Sequence, residues 1–165
     1  MDYEVIDNFL PAEIFERYSF LLGSRMPMFY SEGVSSQEDD NEFYWYHSFY
    51  NQNLPSSEFY QDFTFPLLAM VKSKAVISSR ANWFPRTHEI IEHGAHVDST
   101  FPHRNIVFYI NTNNGFTRLY GDDGDSIVVN SVANRALLFD GLIRHNSTTC
   151  SDQKVRCTMA VNYFA

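Results

Sequence analysis

With 165 residues and a formal charge of −8, the chain is sized for one domain with a real core, and its acidity argues against a surface built to neutralise phosphates. A 44% hydrophobic and 16% aromatic content, with fifteen Phe and ten Tyr, suits a globular protein that leans toward β-structure. Two cysteines, Cys150 and Cys157, imply no disulfide framework, the acidic opening MDYEVIDNFLPAEIF is unlike a signal peptide, and no run approaches the ~18 apolar residues of a membrane span. The expectation is therefore a cytoplasmic protein with free thiols, no membrane and no nucleic-acid partner.

In chain order, YEVID (3–7) reads as a short strand. Pro11 opens a helix on which Ile14, Phe15, Tyr18, Leu21 and Leu22 recur at helical spacing until Gly23. GVSSQEDDNE (33–42) has the composition of a mobile acidic surface loop, and FYWYHSFY (43–50) that of an aromatic strand. A second apolar helix spans Phe59 to Val71, with an interruption expected at Pro66.

From residue 75 the pattern changes to short strands: AVISSRANWF (75–84), EIIEHGAHVD (89–98), RNIVFYIN (104–111), FTRLY (116–120), SIVVN (126–130), RALLFD (135–140), LIRH (142–145) and VRCTMAVNYF (155–164). TNNG, GDDGD and DG supply turn chemistry between them. Asp122, Asp123 and Asp125 in GDDGD fit a hairpin turn better than a calcium loop, which would need EF-hand spacing and a terminal Glu. Strands following helices predict a mainly β, α+β fold. The expected form is a double-stranded β-helix (a cupin-like jelly roll) with N-terminal helices packed outside. Residues 1–165 are expected to form one domain, with helical support over about 1–74 and the jelly-roll core over about 75–164. The mostly apolar last strand should be central.

Chemistry concentrates in HGAHVDST (93–100). Alternation along a strand puts His96 and Asp98 on one face, two-thirds of a metal site. His145, forty-seven residues after Asp98, is the third candidate ligand. Two histidines and a carboxylate form a facial triad that leaves coordination positions open, which suits non-haem Fe(II), whereas structural zinc wants a closed set of four. Arg156 and Thr158 share a face of the last strand. A buried arginine needs an anion, and its planar fork suits a bidentate carboxylate, with the Thr158 hydroxyl adding a bond. The structural alternative pairs Arg156 with a core aspartate such as Asp140. His93 is expected at the surface or behind the metal, His88 and His103 exposed, and His47 either half-buried in the sheet or, with Tyr44 and Trp45, near the substrate entrance. Arg80, Arg86 and Arg104 are candidates for orienting an anionic or peptide substrate, with Arg86 the best fit to plain surface charge.

The series His96-x-Asp98, Tyr109 in FYIN, GFT at 115–117, His145 and RCTMAVNYF resembles the Fe(II)- and 2-oxoglutarate-dependent dioxygenases, most closely their prolyl-hydroxylase-like branch. It covers residues 75–164 well and YEVIDNFLPAEIF more loosely. The resemblance implies that His96, Asp98 and His145 hold Fe(II), and that Arg156, Thr158 and Tyr109 grip the distal carboxylate of 2-oxoglutarate. It further implies O2 as oxidant, with ascorbate as an accessory, and no side chain acting as general base. The expected reaction hydroxylates a C–H bond with release of succinate and CO2. The expected substrate is a peptide or small molecule: a peptidyl proline first, a free amino acid or other metabolite second. Loops 30–60 and 99–103 would capture it. Phe84 stands where many prolyl hydroxylases carry a cosubstrate-binding tyrosine, so Asn82, expected to face the same way, is a candidate to complete the grip. Asn162 replaces a common tryptophan. Two other readings stay open: a cupin-like metalloenzyme that does not use 2-oxoglutarate, and a non-catalytic β-sandwich binding module with a relic metal site. Oligomeric state is not legible.

Overall fold

A computed structural model describes residues 1–24, 26–34 and 42–165. Most of the predicted acidic loop, residues 35–41, lies outside the described residues, as do the side chains of Leu21 and Leu22. The elements are β1 (Tyr3–Ile6), α1 (Ala12–Ser24), β2 (Phe29–Ser31), β3 (Tyr44–Asn51), β4 (Leu54–Pro55), α2 (Tyr60–Val71), β5 (Ala75–Pro85), β6 (Arg104–Tyr109), β7 (Phe116–Tyr120), β8 (Ser126–Asn130), β9 (Arg135–Asp140), β10 (Arg144–Asn146) and β11 (Val155–Phe164). Among the described residues no helix is long and apolar enough to cross a membrane.

An antiparallel main sheet runs β1-β9-β6-β11-β5-β3-β2, with β4 paired to β3, and a smaller sheet runs β10-β7-β8. The chain crosses between the sheets from β6 to β7, β8 to β9, β9 to β10 and β10 to β11, which makes the jelly roll. As expected, β11 is central, between β5 and β6.

Alternation along β11 sorts its side chains between two interiors. Cys157, Met159, Val161 and Tyr163 join Phe108, Phe49 and Ala81 under the helices, where α1 contributes Tyr18 and α2 contributes Phe63 and Leu67. Arg156, Thr158, Ala160 and Asn162 face the other way, into the space between the sheets. There Tyr109, Leu119, Val129, Leu137 and Phe139 form a second, smaller apolar cluster.

Helix α2 continues through Pro66 instead of breaking there. A proline in a helix costs about 3 kcal/mol. Here Phe63 and Leu67, both essentially fully buried, each contribute about 1.5–3 kcal/mol by burial and hold the helix against the sheet. The helix ends at Lys72, whose backbone is left-handed (φ 53°) and donates to the Leu68 carbonyl.

The segment predicted as a strand over 89–98 is not one. It runs beside residues 145–150 through isolated pairings only, Arg86 with Cys150, Glu92 with Thr148 and His96 with His145. The predicted 142–145 strand is shifted to Arg144–Asn146. Strands β2 and β4, of three and two residues, are too short to show a period and were not anticipated.

Candidate metal centre and carboxylate pocket

His96 and His145 are brought together by the backbone. Each donates its N–H to the other's carbonyl at 2.9 Å, and the two rings lie 4.8 Å apart, centre to centre. Asp98 follows two residues on in a bend. Its Oδ1 is 3.6 Å from His96 Nε2 and its Oδ2 is 3.9 Å from His145 Nε2. One ligand atom from each of the three lies within 4.8 Å of the others. Among the described residues no other such group forms.

The surroundings prepare these atoms. His96 Nδ1 donates to the Gly94 carbonyl and His145 Nδ1 to the Ile143 carbonyl, both at 3.1 Å. A carbonyl can only accept, so each proton is drawn to Nδ1 and each Nε2 lone pair is left facing Asp98. Asn105 Nδ2 donates to Asp98 Oδ2 at 3.2 Å and steadies the carboxylate. Burial works to raise the Asp98 pKa, but the His96 imidazole beside it and the charges of His145 and Arg80 hold it well below the usual carboxylate range. The neighbouring Asp98 carboxylate raises His96 against its burial, while burial lowers His145. Two neutral imidazole nitrogens and an ionised carboxylate on one side of a cavity fit a divalent cation with open coordination positions.

A pH dependence follows. With its pKa lowered, His145 is neutral first as pH rises; His96, raised, gives up its proton last. A bound metal must displace that proton, so below the His96 pKa the affinity is expected to fall about tenfold per pH unit. Mn(II) titrations at a series of pH values check this, and a flat profile through the histidine range counts against His96 as a ligand.

Arg156 is 0% exposed. Its Nε donates to Ser131 Oγ at 2.9 Å, Nη2 to Thr117 Oγ1 at 3.1 Å and Nη1 to the Thr148 carbonyl at 3.4 Å. The guanidinium lies 5.5 Å from the Phe84 ring centre and 5.7 Å from that of Tyr109. All these partners are neutral, Asp140 is not among them, and among the described residues Arg156 makes no ion pair. Burial accordingly pushes its pKa down. A buried cation held by neutral groups fits a carboxylate ligand.

Both features open on one small cavity. Rows across the main sheet build its wall: Phe84 beside Arg156, then Asn82–Thr158, then Arg80–Ala160–Val107, then Asn162–Asn105. Thr158 and Asn82 line the cavity, and the buried Oδ1 atoms of Asn82, Asn105 and Asn162 have no hydrogen-bond partner. Tyr109 is placed differently from Thr158. It is buried behind Arg156, outside the cavity wall, and its hydroxyl points to the Val129 carbonyl at 3.4 Å.

Gly115 is packed against the back of Arg156. A Cβ there would meet Arg156 Cδ and the Thr149 carbonyl oxygen at 2.6 Å and Asn113 Oδ1 at 2.9 Å. Two of these atoms are held by the fold, so Gly115→Ala is expected to destabilise by about 1–3 kcal/mol, as other overpacked sites do. It should also weaken carboxylate binding by displacing Arg156. A melting temperature matching wild type would show that the loop relaxes freely.

The remaining candidates separate. His47 faces the helical side, with Nδ1 2.7 Å from the Pro27 carbonyl oxygen and Nε2 2.7 Å from Ser57 Oγ. Tyr44 lines the cavity, stacked on Phe84. His93, expected at the surface or behind the metal, is buried with Nδ1 2.8 Å from Ser147 Oγ; His103, expected exposed, is buried against Gly141. His88 and Arg86 are exposed as expected. Arg104 pairs with Asp2 instead of reaching over the metal centre. Asn105, Thr117 and Ser131, which steady Asp98 and Arg156, were not singled out as site residues; parity with Tyr109 along β6 was the available signal for Asn105.

No protein-family model matches the chain, and no curated protein matches it in sequence. Solved structures do match in shape. A 2OG-Fe(II) oxygenase family oxidoreductase from Burkholderia pseudomallei superposes with a TM-score of 0.73 at 13% identity, covering 99% of this chain and 85% of that one. A prolyl hydroxylase from Trichoplax adhaerens, in complex with a hypoxia-inducible-factor peptide, gives 0.72 at 13% identity over 99% and 83%. The epimerase SnoN, in complex with Fe3+, α-ketoglutarate and nogalamycin RO, gives 0.70 at 11% identity over 99% and 79%. The fold is that of the 2-oxoglutarate/Fe(II) oxygenases. The neighbours just named hold a peptide fragment in one case and nogalamycin RO in another, so the fold by itself does not choose the substrate.

Proposed function

We propose that residues 1–165 form one Fe(II)- and 2-oxoglutarate-dependent oxygenase domain that hydroxylates a C–H bond of a peptide or small molecule. The observation that carries this is the fully buried Arg156, held only by neutral partners, in the same cavity as the triad. A metalloenzyme that does not use 2-oxoglutarate has no need of a buried guanidinium at that place, and a relic binding module has no need to keep three ligand atoms within 4.8 Å.

In this reading His96, Asp98 and His145 hold iron, and Arg156 and Thr158 hold the distal carboxylate of the cosubstrate. Bound together with O2, these groups supply oxidation of a C–H bond coupled to conversion of 2-oxoglutarate into succinate and CO2. The protein's own residues bind and orient. Asn105 fixes the Asp98 carboxylate, Thr117 and Ser131 fix the guanidinium, and the Phe84 and Tyr109 rings keep water from it. Tyr109 acts through Arg156, and Asn82 offers its amide where Phe84 has no hydroxyl. No side chain has to move a proton in the chemical step. A peptidyl proline and a free amino acid or other metabolite are the substrates to try first, with and without ascorbate. Succinate formation that requires added iron, oxygen and 2-oxoglutarate tests the reading. No succinate under any of these conditions, from folded protein loaded with iron, would refute it.

A further inference from the structure

The cavity opens into a larger groove of about 1600 Å³ along β3 and β5. Five residues line both spaces, and one of them, Arg80, carries a fixed positive charge. Arg80 lies on the cavity face of β5, opposite Ala160 of β11 on one side and Ser48 of β3 on the other. Among the described residues its hydrogen bond is to the Tyr44 hydroxyl, at 3.4 Å. Among the described residues it forms no close ion pair, its charge acting on Asp98 only at longer range, whereas Arg104, Arg118 and Arg135 pair with Asp2, Glu92 and Asp7.

We propose that Arg80 is the substrate-recognition residue and that it binds a carboxylate on the substrate, close to the carbon that reacts. This rests on the oxygenase reading above. Apart from Arg80 and Asp98 the groove is lined by neutral residues, its polar ones offering hydroxyls and amides, as at Tyr46, Tyr50 and Asn51. In a chain of net charge −8, the described groove wall, with Asp98 its one acid, does not suit a cationic substrate. Charge balance points the same way. A divalent metal, Asp98, Arg156 and a dicarboxylate cosubstrate leave one positive charge over once Arg80 is counted. In a half-buried setting that charge stands to gain from an anion. The nearness of Arg80 to the triad, in one cavity wall, limits the spacing to a few bonds. A free amino acid, a small organic acid or a chain-terminal residue meets that condition, and a residue inside a peptide chain meets it only where it or its neighbour has an acidic side chain.

The test uses matched acids and amides: proline and prolinamide, and short peptides ending in proline as free acid or as amide, with small dicarboxylic acids and their monoamides. Each is titrated into wild type, Arg80→Gln and Arg80→Lys with iron and 2-oxoglutarate, and substrate-dependent succinate and hydroxylated product are measured. At least one acid is expected to be preferred over its amide by about tenfold or more in kcat/KM. Arg80→Gln should remove that preference by raising KM for the acid, and Arg80→Lys should keep part of it. A panel in which no acid outperforms its amide overturns the proposal. So does an Arg80→Gln effect that falls on the 2-oxoglutarate requirement, which would place Arg80 on the cosubstrate. Anaerobic calorimetry with Mn(II) and 2-oxoglutarate present reads the same acid preference without turnover. Loss of uncoupled succinate formation in wild type therefore strikes the oxygenase reading alone, and equal binding of acid and amide strikes the Arg80 assignment alone.

Discussion

Replacing Arg156 by Ala is expected to raise the 2-oxoglutarate concentration needed for uncoupled succinate formation by at least about tenfold, equivalent to ~1.4 kcal/mol. A charge-assisted hydrogen bond contributes about 1.5–3 kcal/mol, and a bidentate pair engages two. The metal centre should be little affected, because its ligands come from the 96–98 segment and β10. The substitution also removes a buried charge with no ion-pair partner, so part of the packing lost against Phe84 and Tyr109 is offset. Arg156→Met, which keeps the volume without the charge, guards against a folding artefact. Thr158→Val should act in the same direction more mildly. Tyr109→Phe should act least, since its hydroxyl is turned to the Val129 carbonyl. An Arg156→Ala or Arg156→Met protein that is folded, iron-loaded and unchanged in its 2-oxoglutarate dependence would remove the cosubstrate assignment.

Asp98→Ala should have the larger effect on turnover. It removes the only anionic ligand of the triad and leaves two imidazoles, too few to hold a labile divalent ion. Loss of an outer-shell partner alone costs roughly 10–100-fold in affinity or activity, and loss of a ligand should exceed that. The fold should survive, because the deleted group takes no part in either apolar cluster. Asn105→Ala, which removes the donor to Asp98 Oδ2, should fall within the milder range. Metal content after dialysis against Mn(II), beside circular dichroism, decides the matter. Retention of one metal per chain by Asp98→Ala would place the centre elsewhere.

The pairing of Arg156 with Thr158 was legible in the sequence because β11 is long and alternates without a break up to Asn162. His96 and Asp98 were selected by the same alternation, yet the structure reaches their convergence by another route. The segment is irregular, and what brings the ligands together is a backbone pairing between His96 and His145, distant in sequence. No local pattern encodes that pairing. The spare histidines were harder to place for a related reason. Both faces of the main sheet are covered, one by helices and one by the smaller sheet, so hydrophobicity marks a residue as buried without saying on which side. His47 went to the helical side and His103 under the turn at Gly141, and only the tertiary packing distinguishes these from cavity positions.

The place of β11 has a consequence for how the chain is made. It is the last of these strands in chain order, yet it lies between β5 and β6, pairing Phe164 with Ala75 and Tyr163 with Arg104. Until it arrives, β5 and β6 each expose an open edge in the middle of what will be the sheet. Contacts this distant in sequence slow folding, and unpaired edges invite association with other chains. The sheet therefore stays open to association until β11 pairs, and Arg156, delivered on that same strand, completes the proposed carboxylate pocket in the step that closes the sheet.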